Sequence, residues 1–145
     1  MEKIMATLYY NRIRELSPTD IVQGKIWVGD PCYILHDEWS DVCDAMFKED
    51  MPAMVIPTSN GNIYLFKTYG GDGCYPGVVN DVGFECGVDS GMLAIIPANI
   101  KPGDSKPELG HITTIAKPCT VKYVNGDFSL MDGNSVILSV LTRDY

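Results

Sequence analysis

The carboxy-terminal third of this chain is cut into short apolar runs by turn-forming pairs, and that spacing narrows the fold more than any other feature. Thr120-Val121-Lys122-Tyr123-Val124, Phe128-Ser129-Leu130-Met131 and Val136-Ile137-Leu138-Ser139-Val140-Leu141 are separated by Asn125-Gly126 and Asp132-Gly133-Asn134. β-Branched and aromatic residues fit a pleated surface, and Gly, Asn and Asp tolerate tight-turn backbone angles. The three runs therefore read as a meander of antiparallel hairpins.

Similar patterning extends upstream. Ala53-Met54-Val55-Ile56 and Ile63-Tyr64-Leu65-Phe66-Lys67 flank Asn60-Gly61, a pair suited to a type I′ turn. Phe84-Glu85-Cys86 and Met92-Leu93-Ala94-Ile95-Ile96 flank a turn at Val88-Asp89-Ser90-Gly91. Lys25-Ile26-Trp27-Val28 and Ile112-Thr113-Thr114-Ile115 read as further strands, and Thr7-Leu8-Tyr9-Tyr10 has strand chemistry in an otherwise ambiguous segment. One amphipathic helix is expected over about 37–49. Asp37 serves as its N-cap, and Trp39, Val42, Cys43, Met46 and Phe47 recur at helical spacing before Pro52 stops it. Residues 101–107, rich in Pro, Gly and Lys, form a surface connection. The expected fold is α+β, mostly β. Antiparallel sheet of about eight short strands is closed on one face or end by the helix, in a single globular domain spanning 1–145.

Composition excludes several classes of function. The net charge of -8, from 19 acids and 11 scattered bases, opposes nucleic-acid binding, which needs clustered Lys and Arg. No apolar run approaches the roughly 18 residues of a membrane span, and the amino terminus lacks a secretory signal. A cytoplasmic protein is expected. Five cysteines without a Cys-x-x-Cys pair read as free thiols rather than as a disulfide framework or a zinc site. Strands at the sheet edges leave room for homo-oligomers.

Chemistry concentrates in a repeated turn. Gly29-Asp30-Pro31-Cys32-Tyr33 and Gly71-Asp72-Gly73-Cys74-Tyr75 share the pattern Gly-Asp-x-Cys-Tyr, and Asp89 brings another carboxylate beside Ser90-Gly91. The structural reading is turn chemistry: Asp bonds a backbone amide two residues on, and Gly supplies backbone freedom. The functional reading starts from four glycines within 69–77, each costing about 0.5–1 kcal/mol against Ala in regular structure. A loop so permissive, flanked by Tyr69 and Tyr75, suits close approach of a ligand. Candidate ligand-binding residues are Asp30, Tyr33, Tyr69, Gly71, Asp72, Gly73, Tyr75 and Asp89. The glycine spacing fits neither a P-loop nor a dinucleotide fingerprint. Asp72, Asp81, Glu85 and Asp89 fail the EF-hand spacing, so no metal and no cofactor is assigned. A thiol enzyme would use Cys32 or Cys74 with His36 or His111, the two histidines of the chain.

Val28-Gly29-Asp30-Pro31-Cys32-Tyr33, Gly71-Asp72-Gly73-Cys74-Tyr75 and Val88-Asp89-Ser90-Gly91 resemble the motifs of a group of small proteins from tailed bacteriophages and some bacteria. The resemblance covers roughly residues 25 to 97. It implies an accessory protein of the host-cell cytoplasm and transfers no reaction or ligand. The expected function is binding of a small molecule or a host protein through the Gly-Asp-x-Cys-Tyr loops. The alternatives are a metal-assisted or thiol hydrolase or transferase using the same loops, and an interaction protein using a sheet edge.

Overall fold

The structure, a computed structural model, describes residues 13–34, 43–44, 51–58, 60–100 and 110–143. Its strands are β1 (Arg14–Glu15), β2 (Ile21–Gly29), β3 (Ala53–Thr58), β4 (Gly61–Lys67), β5 (Gly73–Val79), β6 (Val82–Val88), β7 (Met92–Pro97), β8 (His111–Val124), β9 (Asp127–Asp132) and β10 (Ser135–Val140). They form one ten-stranded sheet in the order β1-β3-β4-β7-β2-β8-β9-β10-β5-β6, with every pair antiparallel.

The mostly-β, antiparallel expectation holds, with ten strands in place of about eight. The runs at 112–115 and 120–124 belong to the single strand β8, because 116–118 bulge outward without breaking it. The β2 register shifts there between Val22 and Gly24, and Pro118, which has no N–H to give a ladder, lies in the bulge. β5 emerges from the glycine-rich segment read as a loop. A Cβ at Gly77 would stand 2.4 Å from the ring of Phe84, so glycine lets that ring lie across the strand. The turn at Val88–Gly91 does not close a hairpin: β6 pairs with β5, whereas β7 pairs with β4 and β2. Of the expected helix at 37–49, only Cys43 and Asp44 are described, both helical; its remaining residues, 7–10 and 101–107 lie outside the described residues.

Turn chemistry explains the hairpins. Asn125-Gly126 joins β8 to β9 with both residues at positive φ, 48° and 98°, the I′ pattern. Asn80-Asp81 does the same between β5 and β6, at 48° and 67°. At the β3–β4 turn the expected pair is displaced by one residue. Thr58 pairs with Gly61, which opens β4 at a φ of +119°.

Burial separates the strands into two kinds. β5 and β6 alternate, as strands with one covered face do, whereas Ala53–Ile56, Ile63–Phe66 and Met92–Ile96 are buried continuously. The inner core draws on every strand from β2 to β10, including Val28, Val55, Phe66, Cys86, Ile95, Phe128 and Leu138. A sheet whose two ends share one core must curl, and β6 accordingly reaches β2, β7 and β8. Phe66 and Phe128 stack at the centre with ring centroids 4.2 Å apart. On the outer face of β2, β3, β4 and β7, Trp27, Met54, Ile56, Ile63, Leu65, Met92 and Ile96 form a second core with Ile34 and Ile100. Among the described residues no helix is long and apolar enough to cross a membrane.

Candidate functional site

The first Gly-Asp turn ends β2. Gly29 lies under the indole of Trp27, where a Cβ would be 2.6 Å from the ring, so the glycine is set by packing. Asp30 then caps a 3-10 turn over Pro31–Tyr33 by accepting from the Cys32 N–H at 2.9 Å. Its carboxylate, 0% exposed, also accepts from the N–H groups of Asp89 and Ser90 at 2.6 and 2.9 Å and from the Ser90 hydroxyl at 2.6 Å. Four donors on one buried carboxylate tie the Gly-Asp-Pro-Cys-Tyr turn to the Val-Asp-Ser-Gly turn.

The second Gly-Asp turn joins through backbone carbonyls. Thr68 gives its N–H to Gly91 C=O at 3.0 Å and its hydroxyl to Gly71 C=O at 2.6 Å. Tyr75 donates its hydroxyl to the same Gly71 carbonyl at 2.9 Å, and Gly71 takes a φ of +74° that favours glycine. All three turns therefore meet at one end of β2, β4 and β7. Asp30 faces inward there, and Asp72 and Asp89 are exposed.

Among the remaining candidates, Tyr75 is only 3% exposed, and its ring belongs to the inner core, not to a stacking surface. Tyr69 stands 67% exposed on a fixed backbone: its N–H donates to Thr142 Oγ1 at 2.9 Å, and its Cβ presses on Gly126. Gly73 opens β5. The Tyr33 backbone lies in the 3-10 turn, and its side chain is outside the described residues, as is His36.

The thiols are held protonated. Burial pushes the Cys32 thiol up to about 12, helped by its hydrogen bond to Asp30 and by the charges of Asp89 and Asp72. The exposed Cys74 thiol donates to Glu85 at 2.8 Å, and this bond raises its pKa. His111 stacks on Phe84, with ring centroids 4.4 Å apart. A cysteine nucleophile needs the opposite shift. Among the described residues no three His, Cys, Asp or Glu side chains are grouped to hold a metal ion.

The sequence reading missed a cleft at the opposite end of the same three strands. It has a volume of about 710 Å³ and is lined by Ile21 to Ile26 of β2, Asn60 to Asn62 and Tyr64 around β4, and Ile95 with Pro97 to Asn99 at the end of β7. No family model matches the chain, and no curated protein or solved structure is significantly similar to it.

Proposed function

We propose that this protein is a binding module, a phage-type accessory protein by its sequence motifs, that engages a host protein or a small molecule at the rim formed by its three turns. Tyr69 carries the reading. A large ring kept in solvent on a backbone pinned by Thr142 and Gly126 is a ready contact, since the backbone that carries it has little entropy left to lose on binding. The exposed Asp72 and Asp89 give the rim negative charge, suited to a cationic or hydrogen-bond-donating partner. Asp30 is their scaffold, because its buried carboxylate is taken up by donors of the fold. The protonated Cys32 favours this reading over a thiol enzyme.

Immobilised wild-type protein, Tyr69→Ala and Asp72→Ala, each with its melting temperature checked, test the reading against host cytoplasmic extract. Loss of the same retained species with both folded variants supports the rim. Equal retention by all three refutes it. A sheet-edge interface is the second reading, favoured by β6: among the described residues this end strand pairs only with β5, and Val82 is 62% exposed.

A further inference from the structure

The cleft between β2 and β4 has the shape of a missing strand. A cleft lined by a strand's face takes alternate residues, but this one takes Ile21, Val22, Gln23, Gly24, Lys25 and Ile26 in succession and so follows the edge of β2. That edge is open because β7, which lies between β2 and β4, leaves the sheet early. Its ladder with β4 ends at Tyr64–Ile95 and its ladder with β2 at Ile26–Pro97. Pro97 has no N–H to continue the pairing, and a turn closed by Ile100 N–H to Pro97 C=O carries the chain away. β2 meanwhile runs back to Ile21, and β4 to Gly61.

Hydrogen bonds fix which peptide groups face the gap. Lys25 C=O accepts from Ala98 N–H at 3.0 Å, and Ile21 C=O accepts from the Tyr64 hydroxyl at 3.2 Å, reached from β4 across the gap. Gln23 lies midway between them, where Gly24 takes a φ of +101° and the β8 register shifts, and its side-chain amide donates to Ala116 C=O at 3.1 Å. Two strand spacings set the gap at roughly 9.5 Å, the width of one inserted strand, and Tyr64 makes its floor. Five residues of β2 beyond the last β7 pair give a length of roughly 17 Å. Among the described residues no Asp or Glu lines the cleft, although acids outnumber bases in the chain; Lys25 is the one charged residue among them, beside Gln23, Asn60, Asn62 and Asn99.

We propose that this slot receives an extended peptide segment of a partner protein, neutral or acidic and four to five residues long, as a strand inserted between β2 and β4 and paired with Gln23. β2 and β4 are both antiparallel to β7, so a segment continuing the line of β7 is antiparallel to both. Main-chain bonds supply the affinity in this mode, and the amides and Lys25 supply selectivity. The slot is separate from the rim that carries Tyr69, and either can fail without the other.

The test uses the full chain and randomised heptapeptides selected for binding to it. In the free protein the Gln23 amide should exchange rapidly with solvent. A selected peptide should slow that exchange and shift the Gln23, Lys25 and Asn62 resonances. Gln23→Pro deletes the N–H that the inserted strand would pair with and should weaken binding about tenfold, whereas Gln23→Ala, which removes only the side-chain bond to Ala116 C=O, should not. N-methylation of the paired peptide residue should weaken binding to the same degree, which keeps the test intact if the proline variant fails to fold. The proposal is overturned if selected peptides map elsewhere, if N-methylation has no effect at any position, if selection yields no binder, or if only small polar molecules occupy the cleft.

Discussion

Replacing Asp30 with alanine strips three backbone N–H groups and one hydroxyl of their acceptor at a point closed to water. The Ser90 hydroxyl can rotate, but the amides of Cys32, Asp89 and Ser90 cannot turn elsewhere while the turns persist. An unsatisfied buried donor costs about 1–3 kcal/mol, and water admitted to the vacated space recovers part of it, so we expect a net loss of about 4 kcal/mol. Against roughly 7–20 kcal/mol for a chain of 145 residues, that is a large fraction. It corresponds to a fall in melting temperature of roughly 8–16 °C. Asp30→Asn keeps one acceptor oxygen but turns an amide N–H₂ toward a donor, and should cost about 2 kcal/mol. Ser90→Ala removes only the hydroxyl contact, for about 1 kcal/mol. Urea unfolding at constant m-value measures the series, and amide exchange at Asp89 and Ser90 locates the damage. If Asp30→Ala lies within about 1 kcal/mol of wild type, or if the three variants fall in another order, Asp30 does not join the turns.

Four further outcomes are expected. Iodoacetamide at neutral pH should label the exposed Cys74 ahead of Cys32, and peptide mass spectrometry showing the reverse would contradict the protonated Cys32. Unfolded cysteine ionises near 9.0 while folded Cys32 keeps its proton to about 12, so stability should decline as pH rises between these values, and Cys32→Ala should flatten that slope in chemical denaturation. The Arg14 guanidinium, 2.6 and 2.9 Å from Asp20, holds that carboxyl below its usual 3.8. Its stabilisation is complete above 3.8 and lost as pH falls through the lower folded value, so Asp20→Asn should cost about 1–3 kcal/mol at pH 7 and less in acid. Gly126→Ala forces a side chain onto a φ of +98° and into Tyr69 and Thr142 at 2.6 Å; a loss of about 3 kcal/mol is expected, with Tyr69 displaced in a ring-proton spectrum.

Local chemistry was legible in the sequence, and pairing across the chain was not. Asn125-Gly126 and Gly133-Asn134 announce their hairpins because two residues decide each turn, and β8, β9 and β10 follow in order. Nothing local tells β7 to enter between β4 and β2 instead of pairing with β6, since that choice belongs to an inner core shared by nine strands. The glycines misled for a related reason. Gly29 reads as freedom for a turn and Gly77 as freedom for a loop, but they are places where Trp27 and Phe84 lie on the backbone, and those rings stand two and seven residues away in sequence. The three motif turns lie together at one end of β2, β4 and β7. What short-range patterning left undetermined was the side to which each residue turns: Asp30 and Tyr75 inward, Asp72 and Tyr69 outward.

The cleft escaped detection because it is made by an ending and not by a motif. β2, β4 and β7 are fastened at one end, where Asp30 holds two turns together and Thr68 links Gly91 to Gly71. At the other end β7 stops at Pro97, and its neighbours continue without it. Fixing the far end keeps β2 and β4 two strand-widths apart where no described strand lies between them, and the hydroxyl of Tyr64 on Ile21 C=O braces that separation from below. An insertion site needs such bracing, since two free edges would otherwise close on each other to satisfy their peptide groups. Loosening the fastened end with Asp30→Asn should therefore raise exchange at Gln23-facing residues of β4 and weaken peptide capture. Tyr64→Phe, which removes the brace alone, should weaken capture while leaving the turns at Asp89 and Ser90 protected. Capture unchanged in both variants would mean that the slot keeps its width by other contacts, and the coupling between the two ends would have to be abandoned.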